Sequence, residues 1–240
     1  FSLFWFGEMI SVIGDQISLI AFPWLILQMT NSAALTGLVF AVQGIPRAVL
    51  MLAGGALVDR TSPRLMMIIS NALRLLLVFS LAYMISQDTA DISIVFIMAF
   101  AFGVADAFFY PASISILPSL VSRDELQAGN AIIQTTLHLG MTIGPFVAAF
   151  IIAGEIGSAA QSAELVVSDS VLSAYDLDRE GLARAFFIDG LTFALSLLSL
   201  LFVNVRKLNV EDETSSESSL FKEIRQASLW AWSIPAVRLG

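Results

Sequence analysis

Long apolar runs alternate with short polar breaks along the chain. The runs fall at about 3–28, 34–57, 65–86, 92–117, 128–153 and 185–204. Each offers the roughly 20 residues that a helix needs to cross a hydrocarbon layer about 30 Å thick. The first run lacks the basic leader and short apolar core of a signal peptide, so it counts as a mature helix. The pattern predicts an all-α, polytopic membrane protein. A six-helix transmembrane bundle occupies 1–204, and a cytoplasmic linker occupies 205–240. Trp5 and Trp24 flank the first run, roughly 28 Å apart at 1.5 Å per residue, as two interfacial anchors would be.

The apolar runs are not uniform. Glu8, Ser11, Asp15 and Ser18 share one face of the first helix. Thr36, Gln43 and Arg47 share a face of the second, and Ser70, Asn71 and Arg74 cluster on the third. Gly103, Asp106, Tyr110 and Ser113 follow on the fourth. Asn130, Gln134, His138 and Thr142 mark the fifth, and Asp189, Thr192, Ser196 and Ser199 the sixth. Six stripes predict a bundle with a polar, partly wet interior. For the hydroxyls, bonding between helices explains the pattern as well as function does. Charges are different, because a lone charge at the bilayer centre costs about 2.5–3.5 kcal/mol or more. At 1.5 Å per residue Asp15, Arg47, Arg74 and Asp106 lie roughly 18, 15, 14 and 16 Å from the same membrane face. Two acids and two bases from four helices therefore gather near mid-depth, where carriers place substrate and coupling ions. Arg47 and Arg74 read equally well as permanent structural ion pairs. Glu8 and Asp189 fall toward opposite ends and read as gate or interfacial residues.

Composition narrows the function classes. Of 240 residues 57% are hydrophobic and 13% charged, against about 25% charged in a soluble domain. The net charge of -8 excludes a nucleic-acid partner, and zero Cys excludes disulfides, thiolate metal sites and cysteine catalysis. No zinc-protease motif occurs and His138 is the sole histidine, so no enzyme, cofactor or metal is expected. His138 reads either as a proton relay or as a neutral group bonded to a neighbouring helix.

Orientation follows from the bases. Arg60, Arg64, Arg123, Arg206, Lys207, Lys222, Arg225 and Arg238 lie on one side of six spans, and Arg179 and Arg184 on the other. This split places both ends in the cytoplasm. The polar stretch 154–184 reads as an outer loop, a spacer with room for a short helix. The tail carries the acidic, Ser-rich stretch 211–217 and then an amphipathic pattern, as a linker would. The chain opens at Phe1 and stops at Gly240, which reads as a fragment of something longer.

Pro23, Pro46, Pro111 and Pro145 lie within spans and invite kinks. Gly140, Gly144 and Pro145 place a close-approach motif beside a bend in the fifth helix. Shifting the sequence by 91 residues carries Asp15 onto Asp106 and Arg47 onto His138, which suggests an inverted 3+3 repeat.

Residues 54–64 read Gly-Gly-Ala-Leu-Val-Asp-Arg-Thr-Ser-Pro-Arg. Gly55, Asp59, Arg60 and Arg64 resemble the signature loop of the major facilitator superfamily, with Ser62 where a second Gly is common. Gly140, Gly144 and Pro145 resemble that superfamily's antiporter motif. Gly14-Asp15-Gln16, Pro23-Trp24, and the run from Asp106 through Tyr110-Pro111 and Leu117-Pro118 to Glu125-Leu126 and Asn130 are similar to its efflux branch of macrolide and siderophore exporters. The resemblance implies a twelve-helix carrier with alternating access, of which this chain is the N-terminal half, its C-terminal half missing. It implies that Asp15 and Asp106 face the central cavity more than Arg74 does. It also implies that Asp59 and Arg64 latch the two halves on the cytoplasmic side.

The expected function is proton-coupled efflux of amphipathic small molecules from a bacterial-type inner membrane. Its expected partners are substrate, protons and the lipid bilayer. Asp15 or Asp106 would couple protons, with Glu8, Arg47 and Tyr110 as further site candidates. Phe22, Phe108 and Phe109 would add apolar wall. Uptake by proton symport, or a non-transporting sensor or assembly subunit, are the alternatives.

Overall fold

A computed structural model describes residues 1–153 and 171–203. Among these residues lie six long helices: α1 (Ser2–Thr30), α2 (Ala33–Arg60), α3 (Pro63–Ser86), α4 (Ile92–Ser115), α5 (Leu126–Ala153) and α6 (Val171–Phe202). Each contains a segment long and apolar enough to cross a membrane. The linker predicted over 205–240 lies outside the described residues.

Local chemistry sets the helix ends. Asn31 takes the left-handed conformation that closes α1, at φ 48°. Ser32 then caps α2, its hydroxyl accepting from the Leu35 amide. Asp91 accepts from the Ile92 amide at the start of α4. Ser122 and Glu125 form a reciprocal capping box just before α5. All four prolines stay inside unbroken helices.

Two boundaries differ from the sequence expectation. The signature stretch is mostly helix: residues 54–60 are the last turns of α2. Only Thr61 and Ser62 separate α2 from Pro63, the first residue of α3. The supposed outer loop 154–184 is also shorter. α6 begins at Val171, well before the apolar run that starts at 185. Apolar runs mark where a helix is buried in lipid, not where its backbone starts, so polar turns at a helix end escape that pattern.

The helix pairings follow the 3+3 scheme. α1 packs on α6 and α5, as α4 packs on α3 and α2. α3 and α6 pack on each other, so exchanging the first three helices with the last three preserves the main contacts. The hydroxyl of Ser199 donates to the Leu3 carbonyl, which puts the start of α1 and the end of α6 on the same side.

Glycines set the closest crossings. A Cβ on Gly103 would strike the Gln43 carbonyl, and one on Gly54 would lie 2.7 Å from the Ala107 carbonyl, so α2 and α4 touch backbone to backbone. Gly140 and Gly144 seat α5 against Val12 and Gln16 of α1. Gly55 of the signature stretch faces open space instead.

The buried apolar residues form two clusters. One runs from Ile17, Phe22 and Val78 to Leu182, Phe186 and Phe193. The other gathers Phe4, Met67, Phe109, Ile116 and Leu200. On α1, α3 and α4 the residues between them carry the charges, and on α6 they carry Ser196 and Ser199. A polar layer thus separates two apolar ones.

Candidate functional site

The polar layer is built around Arg74. This side chain is completely buried, which a guanidinium tolerates only when paired and hydrogen-bonded. Its Nη1 donates to Asp15 Oδ1 at 2.9 Å and to Asp106 Oδ1 at 3.2 Å. Its Nη2 donates to Asn71 Oδ1, one turn back on α3, and Asn71 Nδ2 donates to Ser196 Oγ at 2.9 Å. The guanidinium carbon lies 4.1 Å from the ring centre of Phe109 and 4.5 Å from that of Phe193. Carboxylates neutralise it and aromatic faces cover it.

Asp106 is shared. Its Oδ2 accepts from Arg47 Nη1 at 2.7 Å, so one carboxylate bridges two arginines. The four charges from four helices form one connected chain: Asp15, Arg74, Asp106, Arg47. The inner two side chains are 0% and 10% exposed. Asp15 at 30% and Arg47 at 48% open outward.

A second buried acid stands beside this chain. Asp189 accepts from Ser18 and Thr192, and a Cβ on Gly14 would strike both Asp189 and Thr192. Arg179 bonds to Ile85 and Asp88 at the end of α3, and Asp189 lies ten residues further along α6, about 15 Å from that end at 1.5 Å per residue. That corrects its expected place near the outer end. Glu8, also on α1, is buried as well.

The six stripes do not all point inward. Those of α1, α3, α4 and α6 supply the buried polar layer. On α5, Asn130, Gln134, His138 and Thr142 are exposed, and on α2 Arg47 is exposed. α2 and α5 are the least buried of the six spans, and Arg47 reaches back from the exposed face of α2 to Asp106. Phe22 is also not a cavity wall: it is fully buried between Phe102 and Phe186. Phe109 is occupied by Arg74, while Phe108 and Tyr110 are half-buried. Trp5 donates from its indole to Thr136 Oγ1 at 2.8 Å, joining α1 to α5, whereas Trp24 is exposed.

In the signature stretch, Arg64 donates from Nε to the Leu200 carbonyl at 2.9 Å and from Nη2 to the Leu201 carbonyl at 2.8 Å. It thereby caps the C-terminus of α6, where a cation is favoured. The side chains of Asp59 and Arg60 lie outside the described residues. At the other end Arg179 of α6 donates to the Ile85 carbonyl of α3 at 2.8 Å and pairs with Asp88 at 2.8 Å. α3 and α6 thus cap each other reciprocally, an arrangement that charge counting alone does not reveal. Phe193 also went unmarked by the sequence, because a Phe at an apolar position looks like ordinary core.

A helical bundle of this pairing, with a charged layer at mid-depth and glycine-set crossings, is the architecture of half a membrane carrier. The family model for the Major Facilitator Superfamily matches residues 4–237, and the chain belongs to this superfamily. Multidrug efflux pump Tap of Mycolicibacterium fortuitum is 30% identical over 157 residues, covering 62% of this chain and 37% of that protein. Multidrug efflux pump Tap of Mycobacterium bovis (strain BCG / Pasteur 1173P2) is 22% identical over 239 residues, covering 97% of this chain and 51% of that protein. The uncharacterized MFS-type transporter YvqJ of Bacillus subtilis is 23% identical over 139 residues, 58% of this chain and 33% of that protein. The chain spans about half the length, or less, of these curated relatives. No solved structure matches.

Proposed function

We propose that the chain is the N-terminal half of a secondary active carrier that exports amphipathic small molecules in exchange for protons. The observation that carries this reading is the four-charge chain at the centre of an apolar bundle. Its members are held together by contacts of 2.7–3.2 Å, yet its outer ends are open. Buried charge that merely set packing would be closed on all sides. Relatives described as multidrug efflux pumps support export over uptake. In this reading Asp15, the open carboxylate, exchanges a proton, and Arg74 holds it in place when ionised. The exposed polar faces of α2 and α5 line a central path completed by the C-terminal half. Arg64 and its neighbours Gly55, Asp59 and Arg60 lie at the cytoplasmic ends and govern closure there. Gly140, Gly144 and Pro145 keep α5 seated on α1 as the halves rock. Both ends of the chain lie in the cytoplasm, and the membrane is a bacterial-type inner membrane.

The test is accumulation of a panel of amphipathic compounds in cells carrying the full-length protein. Efflux that stops when the proton gradient is collapsed, and that is lost in Asp15→Asn, is expected. Accumulation unaffected by gradient collapse would exclude proton exchange.

A further inference from the structure

The four-charge chain has an order that proton exchange does not require. Along the contacts the signs alternate: Asp15, Arg74, Asp106, Arg47. The closed members are in the middle and the open members are at the ends, one negative and one positive. Asp15 commits only Oδ1 to Arg74, and Arg47 reaches Asp106 only through Nη1. Each end therefore keeps hydrogen-bonding capacity that the chain itself does not use.

From this order we infer that Asp15 and Arg47 are the two poles of a binding site for a small dipolar ligand. The ligand is a zwitterion whose cationic group meets Asp15 and whose anionic group meets Arg47. The inference rests on the transport reading above and names its substrate class.

Two arguments favour a zwitterion over a singly charged compound. The chain offers one unsatisfied end of each sign, so a singly charged ligand engages only one of them, whereas a zwitterion engages both. Such a ligand also seats without stranding any buried charge. If Arg47 swings from Asp106 to the ligand, Asp106 keeps Arg74 at 3.2 Å; if a ligand cation takes the free oxygen of Asp15, Arg74 stays at 2.9 Å on the other. Neither remaining acid of the layer competes for the ligand. Glu8 is buried, and Asp189 is enclosed with Ser18 and Thr192. Tyr110, one turn beyond Asp106 and half-buried, offers an aromatic surface for the body of the ligand.

The test is equilibrium binding to the purified full-length carrier in nanodiscs, without a gradient. Four analogues of one aryl-alkyl scaffold are compared: ammonium with carboxylate, ammonium alone, carboxylate alone, and neither. The wild type should bind the zwitterion at least tenfold more tightly than the other three. Arg47→Gln should remove that preference and leave the ammonium analogue unchanged. Asp15→Asn should do the reverse, leaving the carboxylate analogue unchanged. Arg47→Lys, which keeps the charge, should restore the preference and shows that loss in Arg47→Gln is not misfolding. Equal binding of all four analogues by the wild type, or a uniform loss across them in Arg47→Gln, would overturn the inference. The transport reading is judged separately. Zwitterion binding without gradient-driven efflux in cells would remove the carrier and keep the site. Efflux with no charge preference would keep the carrier and remove the site.

Discussion

Replacing Arg74 by Met tests whether the charged layer is held by one residue. Met keeps much of the side-chain length and fills the space against Phe109 and Phe193. It removes the partner of Asp15, one of two partners of Asp106, and the donor to Asn71. Breaking a buried pair from one side typically costs about 3–5 kcal/mol, because the remaining charge stays buried. Asp106 retains Arg47 at 2.7 Å and Asp15 is partly open, so the two losses do not simply double. The expected destabilisation of Arg74→Met is therefore about 3–5 kcal/mol. Adding Asp15→Asn and Asp106→Asn removes the stranded charges and should recover most of it. Arg47 then lacks a partner, but it is half-exposed, and pairs of that kind contribute only about 0–1 kcal/mol. The assay is reversible unfolding of the full-length carrier in mixed micelles titrated with dodecyl sulfate, followed by tryptophan fluorescence. A loss below about 1 kcal/mol in Arg74→Met, or a triple variant as unstable as the single one, would refute the hub assignment.

The same measurement serves three further expectations. Gly103→Ala drives a methyl into the Gln43 carbonyl and Gly144→Ala drives one into Gln16, so each should lose about 1–3 kcal/mol, while Gly55→Ala, facing open space, should be silent. Arg179→Gln gives up the Ile85 carbonyl and Asp88 together and should lose about 1–2 kcal/mol; Asp88→Asn, at a largely exposed carboxylate, should lose less than about 0.5 kcal/mol. Ser18→Ala removes a hydroxyl that donates to the buried Asp189 and should lose about 1–3 kcal/mol, whereas Ser18→Thr should retain the bond and most of the stability.

The six spans were legible because lipid imposes a length and a polarity that local sequence must meet. The meeting of Asp15, Arg47, Arg74 and Asp106 was legible for a related reason. Depth along a straight helix is simple arithmetic, and charges at one depth in a small bundle have few places to go. Rotation about the helix axis was not legible. The polar stripe on α5, like that on α1, recurs at helical spacing, but it faces outward, because which face meets a neighbour depends on where the other helices stand. The partition of roles within the charge chain was hidden for the same reason. Arg74 looked like a structural accessory beside two acids, yet among the described residues it is the one that pairs with both. Asp189 was misplaced because its span was measured from the first apolar residue, and α6 begins turns earlier.

The packing also constrains how the charge chain opens. Asp106 lies on α4, in the second set of three helices, while both of its arginines come from the first set, on α2 and α3. Moving α2 away from α4 is one way to separate Arg47 from Asp106. The crossings at Gly103 and Gly54 oppose it, since they bring these two helices into backbone contact at both places. Separating them would expose backbone and forfeit close-packed contacts along the whole seam. A change of rotamer in the half-exposed Arg47 side chain disturbs neither crossing. The pair on the open side therefore yields by side-chain motion while α1, α3 and α4 stay clamped through the buried Arg74. On the proposed transport reading, this packing predicts that the bundle moves as one body and that Arg47 changes partner by side-chain motion.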